Sequence, residues 1–187
     1  MKQQLVLVVL ARLPAPGRCK RRLAVAIGAL AAARVQAKLL AHTMATANAW
    51  REISVNSTVL LAMGPAQGIG GLGLRMQRQF NRAFNSGASR VVLIGSDLPQ
   101  LSVSDLANAY AQLDHCDLVL GPALDGGYWL VGLNRSNGSL FSGIGWGGAG
   151  VLTETIARAN CIGLRAKLLQ YRSDIDDVCD MAPWLDD

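Results

Sequence analysis

The fold of this chain is decided by one stretch, Val91-Val-Leu-Ile-Gly-Ser-Asp-Leu-Pro99. Its first four residues are apolar and three of them are β-branched, a pattern that predicts a buried strand. The apolar run ends at Gly95-Ser96, and Asp97 follows directly. Ligands of open α/β sheets bind just outside the carboxyl ends of the strands. We therefore expect the Asp97 carboxylate to lie at a ligand-binding edge of a sheet.

Strands and helices alternate on both sides of this stretch. The apolar patterns predict strands at 5–11, within 53–63, and at 90–95, 117–121, 128–133 and 164–169. They predict helices at 24–50 with a break near Gly28, at 72–84, 102–113, 150–159 and 178–185. Alternation of this kind predicts a mostly parallel sheet with helices on both faces. The return from Leu120 to Tyr128 is too short for a helical crossover, so we expect one antiparallel strand in a mixed sheet. Together, these strand and helix patterns predict a single Rossmann-like α/β domain over residues 1–187.

The positive charge of the chain is concentrated after the first predicted strand. The net charge is +5, and five basic residues lie in a segment without acidic or aromatic residues: Arg12, Arg18, Lys20, Arg21 and Arg22. Nucleic-acid-binding surfaces usually combine basic residues with aromatic or groove-reading elements, so we expect no nucleic-acid partner. A compact anion such as a diphosphate suits this loop better. Gly17, between prolines and basic side chains, lets backbone amides approach phosphate oxygens, although a solvated basic loop is an equal alternative.

Other classes of protein are disfavoured by what the sequence does not contain. No apolar run reaches the roughly 18 residues that a membrane helix needs. The first residues have no small-residue cleavage site of the kind that ends a signal peptide, so we expect a cytoplasmic protein. The four cysteines are scattered and form no pair with the spacing of a zinc site. The sequence does not predict an oligomeric state.

Two interpretations are open for Asp97. It can cap the helix that follows, or it can bind Mg²⁺ or Mn²⁺, which prefer carboxylate oxygens. Ser102 and Asp105 already have the spacing of a capping box for that helix, which favours the metal.

Two further acidic motifs follow predicted strands. In Gly121-Pro-Ala-Leu-Asp-Gly-Gly-Tyr128 the carboxylate of Asp125 is followed by Gly126 and Gly127, which permit close approach of a ligand. A plain hairpin turn is the alternative. Tyr128 and Trp129 alternate in the next strand, so one should face the core and the other the cleft or solvent. The acids of 174–177 form either a solubilising tail or a second carboxylate for a metal at Asp97.

These motifs together resemble a known bacterial family. The stretch Leu10-Ala-Arg-Leu-Pro-Ala-Pro-Gly-Arg-Cys-Lys-Arg-Arg-Leu23 resembles the opening motif of glycosyltransferases of the GT-A type, often labelled radical-SAM/selenodomain-associated transferases. The stretches 94–99 and 121–128 match the two central motifs of that family, and Trp146 and 174–181 match later ones. More remotely, the chain is similar to nucleotidylyltransferases such as the guanylyltransferases of molybdenum-cofactor synthesis.

The resemblance implies a nucleotide-diphospho-sugar transferase-like fold and a role for each motif. The phosphate-binding residues that it implies are Arg12, Gly17, Lys20 and Arg22. It implies that Asp97 is a ligand of Mg²⁺ or Mn²⁺, with Asp176 as the second ligand. Asp125 binds substrate or metal and is the first candidate for a catalytic base, flanked by Gly126 and Gly127.

The chain departs from the family pattern at four positions beside the expected cleft. The family has an Asp at position 71 and a Glu at 74, where this chain has Gly71 and Leu74. It has Ser-Thr after the tryptophan, where this chain has Gly147 and Gly148. A Thr is usual where Arg21 stands. These departures indicate changed acceptor contacts or lost activity.

Three functions follow as hypotheses. The first is a metal-dependent glycosyltransferase that uses a nucleotide-diphospho-sugar donor. The second is a nucleotidylyltransferase that attacks a nucleoside triphosphate and releases pyrophosphate. The third is a nucleotide-binding protein without catalysis. The same basic loop and metal serve the first two, because both must neutralise charge on a leaving phosphate group.

Overall fold

The computed structural model describes residues 3–173, which form six strands and five α-helices. The strands are β1 (Leu5–Ala11), β2 (Ser57–Met63), β3 (Arg90–Ile94), β4 (Leu118–Pro122), β5 (Tyr128–Leu133) and β6 (Ala166–Leu168). The helices are α1 (Arg21–Ile27), α2 (Ala29–Ile53), α3 (Leu72–Asn85), α4 (Val103–Gln112) and α5 (Val151–Cys161). Short 3₁₀ turns cover Gly64–Gln67 and Gly138–Phe141. The predicted helix at 178–185 lies outside the described residues.

The strands form one mixed sheet in the order β2-β1-β3-β5-β4-β6. β5 runs antiparallel to both of its neighbours, and the other pairs are parallel. The carboxyl ends of the parallel strands and the amino end of β5 therefore meet at one side of the sheet, here called the carboxyl edge. The predicted mixed, mostly parallel sheet is confirmed.

Helices cover both faces of the sheet because strand residues alternate between them. In β1, Val6 and Val8 face one core layer with Met76 and Phe80 of α3. Leu7 and Val9 face the other layer, which α2 and α4 close with Trp50, Leu106 and Tyr110 among others. None of the helices within residues 3–173 has the length and apolar character needed to cross a bilayer.

The local signals in the sequence have identifiable structural outcomes. The predicted break near Gly28 separates α1 from α2, and Gly28 has a φ of 85° that suits glycine. β6 is shorter than expected because the backbone N–H of Arg165 donates to Asp117 Oδ2, at 3.0 Å, rather than to a strand. In α3, Phe80 is buried as expected, but Leu72 lies in the first turn beyond the sheet and is exposed.

Candidate functional site

The loops of the carboxyl edge are tied to one another by a few contacts. Gln67 is buried, and its Nε2 donates to Ala11 O at 2.6 Å and to Ala62 O at 3.1 Å. This side chain joins the loop after β2 to the end of β1. It fixes the start of the basic loop relative to the loop after β2.

The Asp97 carboxylate contacts the last residue of the basic loop. Lys20 Nζ lies 3.4 Å from Asp97 Oδ1, and the Lys20 side chain is almost completely buried. Lys20 has a φ of 45°, in the left-handed region that a non-glycine residue rarely adopts. Asp97 Oδ1 is buried and has no hydrogen-bond partner among the described residues. The chain therefore holds a buried ammonium and an under-satisfied carboxylate oxygen together at the carboxyl edge.

The alternative role of Asp97 as a helix cap is wrong. Ser102 is the N-cap of α4, and its Oγ accepts from Asp105 N at 3.3 Å. In return, Ser102 N donates to Asp105 Oδ2 at 3.0 Å, which completes the capping box. Asp97 therefore has no part in capping α4, and its carboxylate pairs with Lys20 instead.

A buried glutamine beneath the Asp97 loop was not predicted. Gln36 of α2 is completely buried, and its Nε2 donates to Ser96 Oγ at 3.1 Å. Its Oε1 has no hydrogen-bond partner among the described residues. Because Ser96 directly precedes Asp97, this contact fixes the backbone from which the carboxylate projects. The partners are sixty positions apart, so no local pattern reveals the pair.

The basic loop is folded, and most of its cations are exposed. Ala15 N donates to Leu13 O at 2.8 Å and Arg18 N donates to Ala15 O at 3.0 Å. Gly17 has a φ of 74°, with open space where a Cβ would be. The predicted phosphate-binding side chains Arg12 and Arg22 are exposed at the carboxyl edge. An anion at this edge therefore has cations beside it without any rearrangement of the core.

The predicted Asp-Gly-Gly motif forms the connection between β4 and β5. Gly127 N donates to Asp125 Oδ1 at 2.8 Å, and Asp125 remains exposed. Gly126 has a φ of 89°, and a Cβ there would overlap the carbonyl oxygen of Ala149. Leu152 N also donates to Gly126 O at 2.9 Å. Gly126 is therefore required by the packing of the loop before α5, whatever its role toward a ligand.

The last described residues run beside this connection. Arg172 N donates to Pro122 O, and Leu124 N donates to Arg172 O, each at 3.1 Å. Arg172 Nη2 donates to Asp105 Oδ1 at 2.7 Å. Asp176, the expected second metal ligand, and the other acids of 174–177 follow in sequence but lie outside the described residues.

Four arginine and glutamine side chains of α3 hold the loop between β2 and α3. Arg78 donates to Gln67 O at 2.6 Å and to Ile69 O at 3.0 Å. Arg75 donates to Gly70 O at 2.8 Å. Arg82 and Gln79 donate to Ala66 O, at 2.8 and 3.2 Å. This loop includes the departure at Gly71, and the departure at Leu74 lies in the first turn of α3. The α3 side chains thus fix the backbone that leads into both positions.

The four departures from the family pattern lie in open positions. A Cβ at Gly71 or Gly147 would meet no atom within 4 Å, and one at Gly148 would meet only Gly145 O at 3.5 Å. Leu74 is exposed. Packing therefore does not require the changes at positions 71, 74 and 148, while the φ of 91° at Gly147 does favour glycine.

The two aromatic residues that begin β5 do not lie one in the core and one toward the cleft or solvent, as the sequence predicts. Trp129 is buried in the core, as predicted. Tyr128 is half-buried rather than open to the cleft, and it packs edge-on against Trp146 at a centroid distance of 6.4 Å. Burial raises the pKa of the Tyr128 phenol well above its ordinary value, so this hydroxyl stays protonated and is no candidate for a base.

One described residue has the chemistry of a ligand for a divalent metal ion. Asp97 Oδ1 accepts no hydrogen bond among the described residues, although it pairs with the Lys20 ammonium, and a carboxylate oxygen is the donor type that Mg²⁺ and Mn²⁺ prefer. No group of three acidic, histidine or cysteine side chains within residues 3–173 is arranged to hold a metal ion. Residues 3–173 alone therefore do not form a complete metal site.

Solved structures with the same fold define the class. A protein from Desulfovibrio desulfuricans G20 described as a "putative nucleotide-diphospho-sugar transferase" is 26% identical, with a TM-score of 0.80 over 95% of this chain and 84% of that chain. The 4-diphosphocytidyl-2C-methyl-D-erythritol synthase of Anaerococcus prevotii DSM 20548 is 10% identical, with a TM-score of 0.59 over 96% and 95%. Rv0371c of Mycobacterium tuberculosis H37Rv, solved as a manganese complex, is 16% identical, with a TM-score of 0.53 over 100% of both chains.

These structures place the fold in the nucleotide-diphospho-sugar transferase superfamily, and the predicted fold and transferase class are confirmed. Within that class, residues 23–148 match the family described as "Uncharacterized protein conserved in bacteria (DUF2064)", and the chain belongs to this family. No curated protein matches the sequence.

Proposed function

We propose that this protein is a metal-dependent glycosyltransferase with a nucleotide-diphospho-sugar donor. The observation that carries the proposal is the contact between the buried Lys20 ammonium and the under-satisfied Asp97 carboxylate, beside a basic loop at the carboxyl edge. The name of the Desulfovibrio protein and the manganese bound to Rv0371c support the same chemistry.

The diphosphate of the donor binds at the basic loop in this proposal. Arg12, Lys20 and Arg22 neutralise its charge, and the φ of Gly17 keeps the loop backbone close to the phosphate oxygens. Asp97 and Asp176 would hold a divalent ion, which would supply further positive charge for the leaving diphosphate. Lys20 stays buried throughout, so its charge is already in place when the bond to the sugar breaks.

Asp125 acts as the general base toward the acceptor. Its Oδ1 accepts from Gly127 N, which orients the carboxylate, and the side chain is exposed to an incoming hydroxyl. The acceptor hydroxyl loses its proton to Asp125 and forms a bond to the anomeric carbon of the sugar. The bond between that carbon and the phosphate oxygen breaks, and the nucleoside diphosphate leaves with the electron pair.

A thermal-shift screen tests the proposal, because a ligand that binds the folded state raises Tm. Nucleotides and nucleotide sugars are compared with and without Mg²⁺ or Mn²⁺, in the parent, Asp97→Asn and the control Glu52→Gln, an exposed change on α2. We expect a nucleotide-sugar shift that needs the metal and is lost only in Asp97→Asn. An equal shift in both variants would overturn the metal role.

Product analysis separates the transfer reactions. Release of a nucleoside diphosphate from a nucleotide sugar supports glycosyl transfer. Release of pyrophosphate from a nucleoside triphosphate and a phosphorylated acceptor assigns the chain to nucleotidyl transfer. Tight binding without either product over a broad panel of donors and acceptors assigns it to nucleotide binding alone.

A further inference from the structure

Exposed large apolar side chains project from three loops of the carboxyl edge and from the first turn of α3. This set, here called the apolar rim, consists of Leu13, Ile69, Leu72, Leu74 and Leu124. Ile69 is 89% exposed, and it lies in the middle of the loop between β2 and α3. Single exposed apolar residues are ordinary, but several on adjoining loops indicate an interaction surface.

Contacts on the same edge hold these loops together. Gln67 joins the Ile69 loop to the end of β1, from which the Leu13 loop starts. Gly73 in the first turn of α3 lies against the indole of Trp146. The chain after Trp146 in turn meets Gly126, close to Leu124, through the carbonyl of Ala149. The apolar rim is therefore carried by loops that the fold fixes in place.

Side chains of α3 hold the loop that carries Ile69. Its carbonyl oxygens at Ala66, Gln67, Ile69 and Gly70 all accept from side chains of α3. The loop therefore presents the exposed Ile69 side chain from a backbone that is fixed to α3.

The charge beside the apolar rim indicates the partner. Arg18 and Arg21 are exposed on the loop that contains Leu13, and residues 12–22 and 64–75 contain no acid, whereas the exposed Asp125 follows Leu124. Apolar side chains next to arginine match the headgroup region of a bilayer with anionic lipids, where the apolar groups insert and the cations contact the headgroups.

We propose that the apolar rim docks on the surface of a bilayer that contains anionic lipids. Ile69, Leu72 and Leu74 insert between headgroups, and Arg18 and Arg21 contact lipid phosphates. The carboxyl edge then faces the membrane. This docking does not depend on the transfer reaction, because it uses surface side chains and needs no nucleotide.

Vesicle co-sedimentation of the full chain, without nucleotide, tests the proposal. Vesicles of phosphatidylcholine alone are compared with vesicles that also contain phosphatidylglycerol. We expect binding to the anionic vesicles alone, weakened by salt as electrostatic attraction is screened. Ile69→Asp and Leu74→Asp should each weaken binding by roughly tenfold, because the lost burial of one large apolar side chain has that size.

Two matched controls lie at the opposite edge of the sheet. Val55→Asp changes a residue that is 79% exposed between α2 and β2, and it should leave vesicle binding unchanged. Arg21→Gln removes one positive charge from the basic loop and should weaken vesicle binding. Arg51→Gln removes one positive charge at the opposite edge and should leave vesicle binding unchanged. Circular dichroism confirms that each variant is folded.

Three results would overturn the proposal. One is absence of binding to anionic vesicles, and the second is equal loss of binding in Ile69→Asp and Val55→Asp. The third is self-association in sedimentation velocity that Ile69→Asp abolishes in the absence of vesicle binding. That last result would assign the apolar rim to a second copy of the chain.

Discussion

The Lys20 ammonium lies 3.4 Å from the Asp97 carboxylate, and the backbone of Lys20 has the left-handed conformation at the start of α1. The basic loop thus ends against the loop that follows β3. A strained backbone at a buried charged residue is characteristic of binding sites, where the surrounding fold over-determines the conformation. The contact between Lys20 and Asp97 is therefore the feature that supports the proposed binding of a diphosphate and a divalent ion at this edge.

Replacement of Lys20 by asparagine should weaken nucleotide binding. Asparagine tolerates the left-handed region, so Lys20→Asn removes the charge without adding backbone strain. A charge-assisted hydrogen bond contributes about 1.5–3 kcal/mol, which predicts a roughly ten- to hundredfold rise in Kd for the nucleotide. Calorimetry measures the Kd of the nucleotide, and Lys38→Asn on the exposed face of α2 is the control. An unchanged Kd in Lys20→Asn would exclude Lys20 from the phosphate site.

Replacement of Gln36 by leucine should separate stability from binding. The change removes the hydrogen bond to Ser96 and also removes the buried Oε1 that has no partner among the described residues. These effects oppose each other, so we expect the free energy of unfolding to change by less than about 1 kcal/mol. The metal-dependent nucleotide affinity should fall because the Asp97 loop loses its support. Urea unfolding and calorimetry together check this, and a loss of stability without a change in affinity would contradict it.

Asp117, at the other edge of the sheet, should make the fold sensitive to acid. The hydrogen bond from Arg165 N is the main cause that holds the pKa of Asp117 below its ordinary value, and Asn134 and Arg135 add to it. A lowered pKa means that the stabilisation is present above the pKa of the unfolded chain, about 3.9, and is lost as the pH falls through the folded value.

The stability difference between Asp117→Asn and the parent should therefore depend on pH. At pH 7 the free energy of unfolding of the variant should be lower than that of the parent by about 1–3 kcal/mol, because a charged acceptor is lost. At pH 3 the difference should be smaller, since this pH lies below the pKa of Asp117 in the unfolded chain and part of the stabilisation is already lost. Urea unfolding at both values is the measurement, and a difference that does not change with pH would rule out the assignment.

Two glycines of the carboxyl edge should respond differently to substitution. Gly126→Ala places a Cβ against the Ala149 carbonyl at a φ of 89°, and we expect a loss of about 2–4 kcal/mol from the combined overlap and strain. Gly71→Asp lies in open space at the N-cap of α3 and should change stability by less than about 0.5 kcal/mol. Thermal unfolding of both variants tests this, and equal losses would contradict the packing argument.

Local patterns in the sequence predict much of the fold. β1 and β5 have the bounds that their apolar runs predict, because each crosses the sheet between polar or glycine-containing loops. The capping box of α4 and the break at Gly28 follow from residues within one turn of each other. The position of Asp97 at the carboxyl edge follows from the same reasoning, since a buried strand that ends before an acid specifies which edge the acid occupies.

The remaining features depend on residues that are distant in sequence. Gln36 donates to Ser96, and Arg78 donates to the carbonyl oxygen of Ile69. Both are polar side chains, and the apolar periodicity of the sequence does not identify their hydrogen-bond partners. The requirement for Gly126 comes from the carbonyl of Ala149, which lies in another loop, and the Asp-Gly-Gly motif alone indicates only a turn or a ligand. Long-range side-chain contacts of this kind complete the site.

The place of β5 in the sheet has a consequence for biosynthesis. β5 lies between β3 and β4, so one side of β3 stays unpaired until residues 128–133 have left the ribosome. During that interval the apolar strand Arg90–Ile94 presents open N–H and C=O groups, which are a template for association between chains. Nascent chains that stall before Tyr128 should therefore aggregate or occupy chaperones, whereas those that include Leu133 can close the centre of the sheet.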